Sequence, residues 1–253
     1  MDLWSGFAGL SITQLVLVAG MALVASVVGG VAGYGTGALM PLVLVPIVGA
    51  EPVVPIIAIS ALFSNSSRAM AFKPYIDFRR ALIVIAAATP TCVIGAYGYT
   101  KLDNAGAALV IGTMLIVSVP LRRLLKHHGF ALGDRGLGVA AFGWGVVVGG
   151  TAGAGIILLS LLMSAGLGGA GVIATDAAIS IVIGIVKVGV FGISGIVGAQ
   201  VIALALLIGL IAVPGSFLAR RFVEAMPVHV HTGILDAVVI VGGVFLVYGA
   251  WAR

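Results

Sequence analysis

Charged side chains are scarce in this sequence: Asp, Glu, Lys and Arg make up 8% of it, against 61% hydrophobic residues, where an ordinary soluble domain carries about 25% charged residues. A chain of 253 residues cannot hide that much apolar surface from water, so a soluble globular fold is excluded. Cysteine is nearly absent. Cys92 is the single one, it lies within an apolar run, and without a partner it can form neither a disulfide framework nor a Cys-based metal site; it reads as a packed core thiol. No G-x-x-x-x-G-K-[ST] occurs, which argues against nucleotide-driven transport by this chain alone, and G-x-S-x-G and H-E-x-x-H are missing too. No catalytic residue, metal site or cofactor emerges. Met1 to Gly9 holds Asp2 but no Lys or Arg, so it lacks the basic flank of a secretory signal or presequence, and the first apolar run is expected to be retained as structure.

What fills the sequence is apolar runs, at 12–33, 36–49, 52–71, 80–99, 104–121, 137–150, 153–167, 170–191, 197–219 and 232–251. The long ones suffice to cross about 30 Å of hydrocarbon as helices. A transmembrane barrel needs alternating apolar and polar residues, whereas Leu204 to Val213 is apolar on every side. Helices are the remaining way to satisfy a backbone in lipid, so the expected fold class is an all-α polytopic membrane protein. The net charge of +5 does not point to nucleic acid, because the basic residues sit in short stretches beside the spans, where they act as orientation signals.

Two glycine blocks interrupt the runs. Gly29-Gly30-Val31-Ala32-Gly33-Tyr34-Gly35 and Gly149-Gly150-Thr151-Ala152-Gly153-Ala154-Gly155 align one to one as G-G-x-A-G-x-G. Ser60 then corresponds to Thr175, Arg68 to Lys187, and Pro90-Thr91 to Pro214-Gly215, in the same order. The sequence is an internal duplication: a first repeat at 1–121, a basic cytoplasmic linker at 122–136 running from Arg122-Arg123 through His127-His128 to Arg135, and a second repeat at 137–253. If each broken pair enters and returns, each half has five membrane elements. Lys73, Arg79, Arg80, Arg122, Arg123, Lys126, Arg135, Arg220 and Arg221 then share one side, leaving Lys101 and Arg253 on the other. If each pair crosses, Arg220 and Arg221 change sides. The bias favours the first arrangement: inverted repeats, each with a Gly-rich re-entrant pair followed by three spanning helices, and both termini outside the cytoplasm.

Glycines in membrane helices usually serve close packing. The density here goes further, because it ends helices and leaves free N–H groups and positive half-dipoles at mid-membrane. Paired broken helices of this kind line the binding site in repeat transporters, and helix N-termini attract anions. Candidate binding residues are therefore Gly33, Tyr34, Gly35, Thr36 and Gly37 in the first half and Thr151, Gly153, Ala154 and Gly155 in the second. Charge inside a span costs about 2.5–3.5 kcal/mol and tends to face a cavity or a partner. Ser60, Ser64 and Arg68 fall on one helical face next to Asn65, and Asp176, Ser180 and Lys187 share another. Arg68 and Lys187 either supply positive potential to the site or snorkel to the headgroups. Asp176 is either a helix-dipole residue or a group that couples release to protonation. The H-x-H pair His229 and His231, with no acid or thiol beside it, reads as an interfacial loop.

These features together resemble the TauE/SafE sulfite exporter family. The likeness rests on the length, the two related halves, GGVAGYGTGALMPLVL and its counterpart GGTAGAGIILLSLLM, and the Tyr75-Ile76-Asp77-Phe78-Arg79-Arg80 connection. It implies a multi-pass bacterial inner-membrane transporter, not an enzyme, that moves sulfite, organosulfonates, thiosulfate or related small anions on an ion gradient, with the two Gly-rich turns as the substrate region. Leu161 stands where Pro41 has its counterpart, so the half-sites need not be equivalent. The partners implied are a small anionic substrate and the lipid bilayer, with a homodimer open. An anion channel and a non-transporting subunit of a larger assembly are the rivals; saturable flux with counterflow excludes the first, and flux by the purified protein alone excludes the second.

Overall fold

The computed structural model describes the backbone of residues 3–32, 35–128, 131–223 and 228–251, and the side chains of these other than 3, 30–32, 122–123, 125–128, 216–223 and 228–238. Among the described residues there are ten α-helices and no strand: α1 Ile12–Ala32, α2 Thr36–Val48, α3 Val53–Ala71, α4 Phe78–Tyr99, α5 Asn104–His128, α6 Asp134–Gly150, α7 Gly155–Ser164, α8 Gly169–Ile193, α9 Ala199–Val223 and α10 Val228–Trp251. Five, namely α1, α3, α4, α5 and α8, contain stretches long and apolar enough to cross a membrane. Leu82, Ile94, Val139, Phe142, Ile185, Leu210, Val241 and Phe245 are exposed, which water would not tolerate over so wide a surface but lipid does. Prolines sit inside α2, α4, α5 and α9, as membrane helices allow.

The expected elements are all present, with two differences at the ends. The stretch Arg122 to His128 continues α5 instead of forming a connector, because Leu, Arg and Lys are good helix formers and a basic end complements the helix dipole. His229 and His231 belong to the start of α10 and not to a loop; their side chains lie outside the described set.

Both Gly-broken pairs turn back. Leu132, just before α6, donates its N–H to the carbonyl of Ser164 at the end of α7 at 2.7 Å, so the two ends of that pair meet on one face of the molecule. Gly166 nears Arg80, and the Asp77 N–H bonds Thr175 Oγ1 at 3.0 Å, which puts the start of α4 on the same face. The other pair opens toward the opposite face. Asn104, at the start of α5, accepts from the Ala50 N–H at 2.6 Å, and the Tyr99 hydroxyl donates to Ala50 O at 2.8 Å. Gly6, ahead of α1, packs on Ala199 and Ala203 of α9.

Each hairpin is clasped by helices from the other half of the chain. α6 lies alongside α4 in the same direction: Arg79 pairs with Asp134 at 2.6 Å near their starts, and Gly150 meets Gly95 near their ends. Gly145 and Gly149 of α6 are pressed onto Ala88 and Cys92 of α4 so closely that a methyl group there would overlap the α4 carbonyls. α1 lies against α9 in the same way, with Gly215 seated on Ser26. α3 and α8 cross antiparallel at the centre, where Ala58 and Leu62 meet Gly184 and Arg68 meets Asp176. α5 and α10 pack antiparallel around Gly112 and Gly243. Cys92 is fully buried in the α4–α6–α7–α8 core, as its apolar setting suggested.

Asp77 caps α4 by accepting from Arg80 N–H at 3.0 Å and from its Nη1 at 2.8 Å. The Arg80 backbone bond, followed by its guanidinium, holds the Asp77 carboxyl below its ordinary value. The stabilisation is therefore complete above the unfolded Asp value and is lost as pH falls through the lowered one. Asp77→Ala is expected to cost about 0.5–2 kcal/mol near neutral pH and progressively less in acid, read from melting temperatures of the purified protein. Single cysteines at Glu51 and Gly168, on a Cys92→Ala background, are expected to react with an impermeant thiol reagent from opposite faces of the membrane; labelling of both from one face would contradict the two hairpins.

Candidate functional site

The two breaks meet. The start of α2 and the turn before α7 are in contact at Gly37 and Gly153, where a Cβ on Gly37 would lie 2.9 Å from the Gly153 N. Gly153 has φ +86°, a conformation open to glycine at little cost. Gly35, the residue before α2, sits so tightly on the last turns of α1 that a Cβ would overlap the carbonyl of Ala25. These contacts bring two half-helix N-termini to one point, and the first N–H groups of each have no partner within their own helix. Beside them is a cavity of about 130 Å³, where one water molecule needs about 10–15 Å³.

Of the residues expected at the site, Gly35, Thr36, Gly37, Ser64, Asn65, Arg68, Thr151, Gly153, Ala154, Gly155, Asp176, Ser180 and Lys187 line this one cavity. Gly33 and Tyr34 lie outside the described residues. Ser60 is buried but is not in the lining; it donates to Ile57 O within its own helix.

The charges within the spans are held by specific partners. Lys187 is 7% exposed, and its Nζ donates to Val148 O at 2.7 Å and Thr151 O at 3.0 Å. These are carbonyls at the end of α6, the negative pole of that half-helix. The ammonium thus turns inward and caps the break; it does not snorkel. Arg68 also faces inward: its side chain is 12% exposed, its Nη2 lies 3.6 Å from Asp176 Oδ2, and it donates to Asn65 Oδ1. Asp176 is 2% exposed and lies well inside α8, too far from the helix start to serve only the dipole. The Asn65 amide N–H groups remain as donors beside the guanidinium. The Ser64 hydroxyl donates to Ala61 O and Thr151 to Ala152 O, so each must rotate before it can donate elsewhere.

Two cavity residues with polar side-chain groups were not singled out from the sequence. Trp144 lines the cavity, and its Nε1–H donates to Ala154 O at 2.9 Å, holding the turn that begins α7. Its indole reads as membrane-interface furniture until the hairpin places it beside the break. Ser26 lines the cavity from α1 and donates to Leu23 O at 2.8 Å. It is the one polar side chain in the apolar stretch between Gln14 and the first glycine block, and that isolation was a usable signal.

With Asp176 ionised, the side chains facing the cavity contribute two cations and one acid, to which two helix N-termini add positive potential. A small, oxygen-rich anion fits such a setting by charge and by hydrogen-bond donors.

A family model described as "Sulfite exporter TauE/SafE" matches residues 18–246, a stretch that contains every residue of the cavity lining. No curated protein and no solved structure matches the chain.

Trp144→Phe keeps the ring and deletes the donor to Ala154 O. Ala154 O keeps its bond from the Ile157 N–H at 3.1 Å, so the expected loss is that of one net hydrogen bond, about 0.5–1.5 kcal/mol, measured as a drop in melting temperature; an unchanged melting temperature would mean the bond does not hold the turn.

Proposed function

The chain belongs to the TauE/SafE sulfite exporter family, and from that premise we propose that its cavity is the binding site of a secondary carrier for sulfite, small sulfonates or related sulfur oxyanions. Membership makes the protein a multi-pass membrane transporter of small anions and not an enzyme. The finer reading is ours: export from a bacterial cytoplasm across the inner membrane, driven by an ion gradient.

One observation carries the reading: the N-termini of α2 and α7 converge at Gly37 and Gly153 beside a cavity that also receives Arg68 and Lys187. N–H groups at the starts of these half-helices would donate to the oxyanion, as in other carriers built on broken helices. Asn65 would add an amide. Arg68 would supply charge directly. Lys187, already bound to the end of α6, would supply potential while keeping the Thr151 turn in place, and Asp176 would couple movement of the anion to a proton. Sulfite and the sulfonates all arrange oxygens around a small anionic centre, so the same donors serve each.

We also infer that the two hairpins belong to inverted repeats, 1–121 and 137–253, joined through 122–136. The pairing of helices supports this. α1 on α9 is matched by α6 on α4, α3 on α9 by α8 on α4, and the equivalent helices α3 and α8, and α5 and α10, cross antiparallel. The face bearing Lys73, Arg79 and Arg80 would be cytoplasmic. Alternating access would come from rocking one hairpin and its clasping helices against the other.

The test is uptake of sulfite and small sulfonates into proteoliposomes of the purified protein. Saturable flux with counterflow is expected, falling roughly tenfold or more in apparent affinity for Arg68→Ala and Lys187→Ala, since hydrogen bonds to charged groups are worth about 1.5–3 kcal/mol. Flux that never saturates would favour a channel. Unchanged flux in both variants would remove these residues from the site, and no flux for any anion would leave a non-transporting subunit.

A further inference from the structure

An anion cradle does not need an acid, yet this cavity holds one. Asp176 Oδ2 faces Arg68, while Oδ1 is buried and has no hydrogen-bond partner among the described residues. A carboxylate oxygen in that condition, inside a membrane span, is costly unless something shares it. Because Asp176 lines the same small cavity as Lys187, Ser180 and the half-helix starts, any anion bound there lies within its field.

We propose that Asp176 is a co-ion site: its carboxylate takes up one proton when the anion binds and gives it up when the anion leaves, so that the two cross together as a proton–anion symport. This rests on the carrier reading above and specifies its coupling.

The charges around Asp176 set the sign. Arg68 faces it from α3 and Lys187 lies on its own helix. α4 contributes the buried Cys92 and, at its cytoplasmic end, Asp77 and Arg80, which are paired with each other. The 3₁₀ turn Lys73–Tyr75 packs on α8 with Lys73 and Tyr75 exposed, and α7 carries no titratable side chain. Asp176 is thus the one acid in the cavity lining among the described residues. Ionised, it leaves a single net positive charge among the lining side chains; protonated, it leaves two and ceases to hold the guanidinium of Arg68. Both changes strengthen anion binding, and by linkage a bound anion strengthens proton binding by the same factor, typically about 5–150-fold. Release of the anion therefore follows loss of the proton, the opposite sign to release triggered by protonation. A proton moving with a monoanion is electrically silent, whereas a proton moving with a dianion carries one negative charge, which an inside-negative potential drives outward; export by this route therefore draws on the electrical part of the transmembrane ion gradient, and an inward proton gradient opposes it.

The experiment uses the full-length purified protein in weakly buffered detergent solution with a pH indicator, and methanesulfonate and sulfate as probes, because neither changes protonation near neutral pH. Anion binding is followed by calorimetry in the same samples. Wild type is expected to take up one proton per anion bound and to bind more tightly as pH falls. Asp176→Asn should bind without proton uptake and with an affinity that no longer depends on pH, while Asp176→Glu should retain uptake with a shifted midpoint. Wild-type binding without proton uptake would overturn the proposal alone, as would uptake by Asp176→Asn equal to that of wild type; no binding of either probe would overturn the carrier reading and the proposal with it.

Discussion

A backbone broken inside a bilayer must have its open N–H and C=O groups met by something other than water, and most of this structure follows from meeting them. At the end of α6, Lys187 takes the carbonyls of Val148 and Thr151. At the start of α7, Trp144 takes the carbonyl of Ala154. Carbonyls on this side of the break are thus met by side chains of the protein itself, while the first N–H groups of α2 and α7 have no partner within their own helices. A site built by subtraction in this way is positive without needing a cluster of arginines. Its two cations are also fixed by their partners and do not swing freely, so their field at the cavity is pre-organised.

Glycine has two separate uses in the chain. At Gly35, Gly37 and Gly153 it lets backbone approach backbone at the breaks. At Gly95, Gly145, Gly149, Gly112 and Gly243 it lets whole helices pack at van der Waals range, which in lipid is the main source of helix association. The second use supports the first. The second helices of the two hairpins, α2 and α7, are too short to span the membrane, so they depend on the grip that α9 and α4 keep on their partners α1 and α6.

Many of the residues that line the candidate cavity were legible in the sequence because polar residues stand out in apolar helices. Ser64, Asn65, Arg68, Asp176, Ser180 and Lys187 were visible by type and spacing, and the glycine blocks by their repetition. Partnership was not visible. That Arg68 answers Asp176 depends on the antiparallel crossing of α3 and α8, and that Lys187 answers α6 depends on where a hairpin tip comes to rest; neither is a local property. The return of each hairpin was suggested only by the placement of Lys and Arg. Trp144 and Ser26 were missed because an indole and a lone serine have common roles in any membrane helix, and the helical continuation of α5 because charge was read as loop where propensity favoured helix.

The clasping of α1 by α9 has a consequence for how the chain is made. Synthesis delivers α1 well before α9, so the first hairpin emerges without the surface that will grip it. α6, by contrast, emerges after α4 is already in place and can dock at once. The first hairpin therefore completes its packing only once α9 has entered the bilayer, and the cavity, which needs both hairpins, forms late in assembly.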